Sequence, residues 1–377
     1  LLLPSTTLFR SRSKRSRKML DGIKIVGIEG LGPAPFAGMM LTDLGAEVTV
    51  IHRKGKAGSI TAEASLLDRG KRSIALDLKD RADLEVARAL IAQSDGVIEG
   101  FRPGVMERLG LGPEVCHADN PKLVFGRMTG WGQTGPRAFQ AGHDLNYIAT
   151  SGALYYAGLP DDAPVTPATL LGDMGGGALY LVAGILSGII KAGRTGQGCV
   201  VDAAIVDGSA HMMNLLMALG QRGGLSEIRG ASLLDGPHWS RSYMCACGGH
   251  ITVQALEPQF YKTLLVALDL ETDETMSAQH DRRQWGAQTA RFAAIFLEKS
   301  RAEWALHFEG SDACVAVVLN PWEAAQDPHM KERETWGFEN GHLQASAAPR
   351  FDGKIARLKS APARDADRVE ILSELDI

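Results

Sequence analysis

Short apolar runs alternate with amphipathic helical patterns along the first third of the chain. The apolar runs are rich in β-branched residues and predict strands at 23–28, 47–51, 73–76, 96–99 and 123–127. The intervening patterns predict helices over 36–44, which Gly45 closes, and over 81–93, which Asp80 precedes. Strands that alternate with helices in this way favour an α/β fold with a parallel, doubly wound sheet.

The longest apolar run covers residues 178–190 and is interrupted by Gly184 and Gly188. A helix needs about 20 apolar residues to span a bilayer, so this run predicts a buried helix and no membrane partner.

The pattern changes after about residue 201. A methionine-bearing helix is predicted over 205–219, and a hairpin with a Gly248-Gly249 turn is predicted over 243–253. Further helices are predicted over 259–268 and 289–297. A chain of 377 residues is too long for one ordinary core, and we therefore expect a smaller α+β domain over 205–325. The methionines at 212–217 fit core packing, or alternatively an adaptable lining for an acyl group.

Charge separates the first 18 residues from the rest. They carry six basic side chains and no acidic one, although the whole chain has a formal net charge of −4. The pattern fits a mitochondrial presequence superficially, but Met19 directly precedes the first strand. We expect residues 1–18 to be a non-native or disordered leader. The acidic remainder argues against a nucleic-acid partner.

Five cysteines in so long a chain predict reduced thiols and a cytoplasmic protein. Cys245-Ala-Cys247 has no second cysteine pair, so a metal site is not expected.

The Gly/Pro loop at 29–35 lies where a dinucleotide-binding fingerprint would lie, but its glycine spacing is wrong. The second strand also ends in His52-Arg53-Lys54 instead of an acid. A structural turn explains the loop equally well. The basic residues Arg53, Lys71 and Arg102 lie near the ends of consecutive strands, where parallel sheets bind ligands, and predict a phosphate-rich ligand.

Gly-His-Asp-Leu-Asn-Tyr at 142–147 and Gly-Asp-Met-Gly-Gly-Gly at 172–177 contain the acid–base candidates. His143, Asp144 and Asp173 offer groups of different basicity beside backbone N–H donors, which is what proton abstraction next to a carbonyl requires. Asp173 could alternatively be only a helix N-cap. Glu257 precedes Pro258 at a predicted helix start and needs no catalytic explanation.

Over residues 20–349 the chain resembles the family III CoA-transferase superfamily, and within it the racemases. The resemblance rests on the combination of GLGPAPFAGMMLTDLGAEV, RGKRSIALDLK, FRPGVMERLGLGP, AGHDLNY, GDMGGGAL, GRTGQGCVVDAAIVDGSA, ALEPQFY and SDACVAVV. It implies a Rossmann-like large domain over 19–204 and 326–377 and an intertwined homodimer. The active site would be shared between the subunits.

The resemblance also implies a substrate and a chemistry. The substrate is an acyl-CoA thioester, CoA is part of it, and no separate cofactor is needed. His143 and Asp173 match the family's two bases, which racemise 2-methylacyl-CoA through an enolate, and Glu257 would orient the imidazole. The Asp173 N–H and a protonated His143 are the expected donors to the enolate oxygen. Arg53, Lys71 and Arg102 match the family's CoA-binding positions, and a role in fatty-acid metabolism follows.

Two alternatives stay open. A CoA-transferase would use Asp173 as a nucleophile through an aspartyl anhydride, and would not need His143. A non-catalytic acyl-CoA-binding protein would show no α-proton exchange. The C-terminal run at 363–368 departs from the family pattern, which leaves open whether the chain's end completes the large domain.

Overall fold

Six strands form one sheet in the computed structural model, which describes residues 18–55 and 65–377. They are β1 (Lys24–Ile28), β2 (Glu47–Arg53), β3 (Arg72–Leu76), β4 (Gly96–Glu99), β5 (Val124–Thr129) and β6 (Cys199–Ala204), in the spatial order β3-β2-β1-β4-β5-β6. β1 runs parallel to β2 and β4, β2 to β3, and β4 to β5. The predicted α/β fold with a parallel central sheet is confirmed.

The strand order reverses direction between β1 and β4, which are neighbours in space. Ligands of open parallel sheets bind outside the carboxyl ends of the strands at such a point. The loop after β1, the end of β2 and the loop after β4 therefore lie at the ligand-binding edge of this sheet.

Four helices follow the first strands, and their ends match the local sequence signals. They are α1 (Pro33–Leu44), α2 (Arg81–Ala92), α3 (Val105–Arg108) and α4 (Pro113–Asp119). Gly45 ends α1 with φ 109°, a left-handed conformation that favours glycine. Asp80 caps α2, because its carboxylate accepts the N–H groups of Ala82 at 3.0 Å and Asp83 at 3.1 Å.

A long helical stretch follows α5 (Asp144–Ser151). It begins as a π-helical segment (Leu170–Ala178) and continues as α6 (Leu179–Thr195). Among the described residues, this 26-residue helix is the one that is long and apolar enough to cross a membrane. The expectation that the run is too short is therefore wrong, since the helix extends beyond it at both ends. Gly184 and Gly188 lie against strand residues, because an added Cβ would come within 2.5 Å of Val201 and 2.6 Å of Val124.

The remaining elements follow β6. They are α7 (Ile205–Met212), α8 (Asn214–Gly220), β7 (Ser240–Met244), β8 (His250–Gln254), α9 (Pro258–Ala267), α10 (Glu274–Ser277), α11 (Trp285–Phe296), α12 (Arg301–His307), β9 (Val315–Val317), α13 (Pro321–Ala324), α14 (Pro328–Glu332), β10 (Trp336–Glu339), β11 (His342–Ala345) and α15 (Arg368–Glu374). The predicted hairpin is confirmed as antiparallel β7 and β8, to which β9 adds a third strand. The predicted helix over 205–219 is interrupted at Met213, and α7 and α8 are separate. Trp239, Phe292, Phe296 and Trp304 are buried in the core beside this sheet.

The chain divides into two compact units. The first unit contains the described residues up to Arg127 together with Leu181–Val201 and Ala347–Ile377, and the second contains Met128–Tyr180 and Asp202–Ser346. The predicted small domain at 205–325 lies inside the second unit, but 128–180 and 326–346 belong there too. A Cβ on Gly208 would come within 1.9 Å of the Gly176 carbonyl oxygen, so the π-helical segment packs directly on α7. Of the expected leader, residues 1–17 lie outside the described residues.

The C-terminal run at 363–368 covers the outer edge of β3. The Asp365 carboxylate accepts the N–H of Ala75, and the Asp367 carboxylate accepts the N–H of Ser73, both at 2.7 Å. These bonds satisfy backbone groups that an edge strand would leave open. The end of the chain is therefore part of the first unit, which answers the question that the sequence left open.

Candidate active site

His143 stands exposed at the beginning of α5. Its backbone N–H donates to the side-chain oxygen of Asn146 at 3.0 Å. The Tyr147 hydroxyl donates to the carbonyl of Gly142, and the Tyr147 ring occupies the space beside Gly130 and Gly142. A Cβ on Gly130 would come within 1.9 Å of that ring. The tyrosine therefore fixes the turn that presents the imidazole.

Asp173 lies in the first turn of the π-helical segment and is half-buried. Burial and, after it, the negative charge of Asp144 raise the pKa of the Asp173 carboxyl, His143 lowers it, and the net value is about 6. A carboxyl with this pKa can both accept and return a proton near neutral pH. The alternative of an N-cap is not what the structure shows, because the segment already begins at Leu170.

Asp144 connects the two motifs. Its side-chain Oδ1 accepts the backbone N–H of Asp173 at 2.8 Å, and the residue is 4% exposed. The expectation that the Asp173 N–H faces a substrate oxygen is therefore not met, because this donor is already engaged by a carboxylate.

The glycines of the 172–177 motif permit close packing. A Cβ on Gly172 would lie 2.5 Å from Asp144 Oδ1, and one on Gly176 would lie 2.4 Å from Ser209 Oγ. On the adjacent side of the segment, Met212 Cε lies 3.4 Å from the position that a Gly175 Cβ would take. Glycine is needed here because the carboxylate and α7 approach the backbone directly.

Glu257 lies elsewhere in the second unit, exposed at the N-cap position of α9. Burial raises the pKa of the nearby Cys314 thiol, and the charge of Glu257 adds to that effect. Among the residues that the structure describes within one chain, no hydrogen bond or ion pair joins Glu257 to His143 or Asp173. The structure thus brings together His143, Asp144 and Asp173, but not Glu257.

A cavity of about 360 Å³ opens at the ligand-binding edge of the sheet in the first unit. It is lined by the loop after β1, by His52 and by Lys71. The Lys71 ammonium donates to Asp68 at 2.8 Å and to the Pro35 carbonyl at 3.1 Å. Burial lowers the pKa of Lys71, which the Asp68 carboxylate partly offsets. Lys71 therefore lines the cavity with an ammonium group that is already paired.

The other two predicted phosphate contacts, Arg53 and Arg102, are exposed side chains. Arg53 ends β2, and its backbone N–H donates to Glu29 Oε2 at 2.7 Å. Arg102 lies three residues beyond β4. Arg53 is thus the last residue of a strand and Arg102 follows one, and both lie near strand ends as the sequence predicted.

Sequence reasoning did not find Arg364. Its guanidinium donates to Glu29 at 2.5 Å, to His52 Nδ1 at 3.2 Å and to the Arg53 carbonyl at 2.7 Å. Burial raises the pKa of Glu29, but Arg364, the Arg53 N–H and His52 together outweigh this effect and the pKa falls to about 2. The alternating Arg and Asp residues at 364–368 signal ion pairing, yet nothing in the sequence identifies a partner 335 residues away.

Among the described residues, no group of three or more His, Cys, Asp or Glu side chains could hold a metal ion.

Known proteins resemble this chain over most of its length. The sequence model described as CoA-transferase family III matches residues 20–368. Alpha-methylacyl-CoA racemase of Mus musculus is 39% identical over 364 residues, which is 94% of this chain and 93% of the mouse protein. The Homo sapiens protein of the same name is 41% identical over 316 residues, 83% of this chain and 81% of its own. A crystal structure of a CAIB/BAIF family protein from Brucella suis superposes with a TM-score of 0.80 at 26% identity, covering 96% of this chain and 100% of that one.

Proposed function

The chain belongs to CoA-transferase family III, and we infer that within this family it acts as an α-methylacyl-CoA racemase. Its reaction would interconvert (R)- and (S)-2-methylacyl-CoA thioesters. The observation that carries this inference is the pairing of an exposed imidazole, His143, with a carboxyl group, Asp173, whose pKa is raised to about 6. Two groups of this kind can each act as acid and as base near neutral pH.

Racemisation requires one base on each face of a planar intermediate. One of the pair removes the α-proton, and the electron pair of the C–H bond moves into the thioester to form an enolate. The other group then donates its proton to the opposite face of the α-carbon. When the reaction runs backwards, His143 and Asp173 exchange these roles.

The enolate oxygen needs hydrogen-bond donors, each of which typically contributes about 2.7–4 kcal/mol. The Asp173 N–H is bound to Asp144. Protonated His143 remains a donor, and the first N–H groups of α5, those of Asp144 and Leu145, have no partner within their own helix. These groups support the enolate at the same end of α5 that presents His143.

The CoA-transferase alternative is less well supported by the same residues. It requires an ionised, nucleophilic Asp173 and gives His143 no task. With a pKa raised to about 6, Asp173 is still mostly ionised at neutral pH, so its pKa does not separate the two reactions; His143 does. Racemisation, by contrast, uses both His143 and Asp173, each as an acid and as a base.

We propose that the cavity beside Lys71 in the first unit receives part of the CoA moiety and that Arg53 and Arg102 contact its phosphates. The strand order β3-β2-β1-β4-β5-β6 is that of Rossmann sheets, which supports a Rossmann-like unit. An intertwined homodimer, in which Glu257 would orient His143 of the partner subunit, is part of the same proposal. So are the absence of a separate cofactor, a cytoplasmic location and a role in fatty-acid metabolism.

Optical rotation distinguishes the candidate activities. A single enantiomer of a 2-methylacyl-CoA, incubated with the protein and no acceptor acid, should lose its rotation. If rotation persists while CoA moves onto an added carboxylate, with an enzyme-bound acyl group that hydroxylamine traps, the transferase is correct. If neither occurs although the thioester binds, the chain is a binding protein.

A further inference from the structure

The Asp144 carboxylate is buried but only half satisfied. The residue is 4% exposed, and its Oδ1 accepts the Asp173 N–H at 2.8 Å. Its Oδ2 is inaccessible to solvent and has no hydrogen-bond partner among the described residues. Most buried polar atoms in proteins are paired, because an unpaired one costs free energy. This oxygen therefore calls for an explanation.

The packing around Asp144 holds the carboxylate in this place. A Cβ on Gly172 would lie 2.5 Å from Oδ1 and 2.7 Å from the Ile148 side chain. The absence of a side chain at Gly172 therefore leaves the space that the Asp144 carboxylate occupies. Asp144 is also the acidic residue in the first turn of α5. The positive end of a helix dipole stabilises a negative charge there.

Two neighbouring carboxyl groups thus have unequal surroundings. The Asp144 carboxylate accepts the backbone N–H of Asp173 and lies in the first turn of α5. Asp173 receives no such bond from Asp144, and burial followed by the charge of Asp144 raises its pKa. The Asp144 carboxylate is therefore one of the causes that favour the protonated form of Asp173.

We propose that Asp144 is a positioning residue for Asp173: its buried carboxylate fixes the Asp173 backbone and places a negative charge beside the Asp173 side chain. The inference rests on the proposed racemase function, because it explains how Asp173 can remove a proton in one direction of the reaction and donate one in the other.

The other titratable groups on α5 and α7, which pack on the π-helical segment, either lower the pKa of Asp173 or make separate contacts. His143, at the start of α5, lowers the pKa of Asp173. α7 packs on the π-helical segment and carries Asp207 and His211, both exposed. His211 Nδ1 is 2.7 Å from the Tyr180 hydroxyl, with which it shares a hydrogen bond.

Asp144→Asn tests the proposal, because it removes the charge but keeps a side-chain oxygen that can accept the Asp173 N–H. The acid limb of kcat/KM, where Asp173 and His143 both become protonated and no base remains, should move to lower pH by about one unit. The exposed Asp161→Asn, in the same unit, is the matched control and should leave the limb in place. A folded Asp144→Asn protein whose limb does not move would overturn the proposal.

A second measurement does not depend on activity. Infrared spectra of the wild type and of Asp173→Asn are recorded over a pH titration. The difference between them reports the carboxylic-acid C=O stretch of Asp173. The same comparison is then made between Asp144→Asn and the double variant that also carries Asp173→Asn. The midpoint pH of the Asp173 titration should be lower in this second pair, and an unchanged midpoint contradicts the proposed role. If Asp144→Asn does not fold, Asp144→Ser takes its place with the same expectation. A wild-type protein that exchanges no α-proton would refute the racemase, while the infrared midpoint would still decide the role of Asp144.

Discussion

Removing Arg364 should destabilise the first unit in a pH-dependent way. The Glu29 side chain is 18% exposed and that of Arg364 is 13% exposed, so their ion pair is largely shielded from water. Arg364→Ala leaves the Glu29 carboxylate with the Arg53 N–H and His52 as partners. The pKa of Glu29 falls from 4.5 to about 2, and at about 1.4 kcal/mol per unit this corresponds to about 3 kcal/mol of stability at pH 7.

The sign of the pH dependence follows from the lowered pKa. A carboxyl group whose pKa is depressed on folding stabilises the protein above its unfolded value, near 4.5, and loses that contribution as the pH falls toward 2. Arg364 makes only part of this contribution, since the Arg53 N–H and His52 remain in the variant. The difference between wild type and Arg364→Ala should therefore be at most about 3 kcal/mol at pH 7 and shrink to at most about 1 kcal/mol at pH 3. The variant should also raise KM for acyl-CoA, since Glu29 and His52 line the cavity.

Urea unfolding followed by circular dichroism at the two pH values measures this difference. Arg357→Ala, an exposed arginine in the same C-terminal segment, is the control and should cost little. Arg364→Lys keeps the charge but not the forked geometry, and should lie between wild type and Arg364→Ala. An equal loss at pH 7 and pH 3, or a loss no larger than that of the control, would refute the reasoning.

Three further outcomes are expected. Gly172→Ala places a Cβ 2.5 Å from the Asp144 carboxylate, so kcat/KM should fall roughly tenfold or more. Gly193→Ala, with open space around it, is the control and should have little effect. Similar losses in both variants would contradict the close-packing account. Wild-type kcat/KM should decrease as the pH is lowered through about 6, because Asp173 takes a proton while His143 also carries one and no base remains. An acid limb near pH 4 would argue against the raised pKa of Asp173. Arg102→Ala should raise KM for acyl-CoA roughly threefold at low salt and less at high salt. A thioester that lacks the nucleotide phosphates should show no such change, and an equal change would exclude a phosphate contact.

Local signals in the sequence predicted the sheet and its helix ends. Val, Ile and Leu runs identify β1 to β5, while Asp80 and Gly45 mark helix ends by the conformations that they favour. The same periodicity failed at Met213, because apolar spacing continues through a break between two short helices. It also underestimated the length of the helical stretch, since the glycine-rich segment before α6 is π-helical and packs directly on α7.

The residues that set the chemistry depend on tertiary contacts. Asp144 and Asp173 are 29 residues apart, and nothing in either motif shows that one carboxylate binds the other's backbone. A Gly-Asp pair before a glycine run is typical of an N-cap, and here the glycines instead make room for Asp144 and Ser209. Arg364 joins Glu29 across 335 residues. Residue type and spacing identify candidates, and tertiary contacts decide which of them meet.

The central claim is that one of His143 and Asp173 removes the α-proton while the other donates a proton to the opposite face of the α-carbon. The most direct measurement is α-carbon deuteration of each 2-methylacyl-CoA enantiomer in D₂O, followed by mass spectrometry, for wild type, His143→Ala and Asp173→Ala. The account predicts deuterium in both enantiomers with wild type, and loss of interconversion in each variant. Undiminished deuteration and racemisation in a folded Asp173→Ala or His143→Ala protein would contradict it.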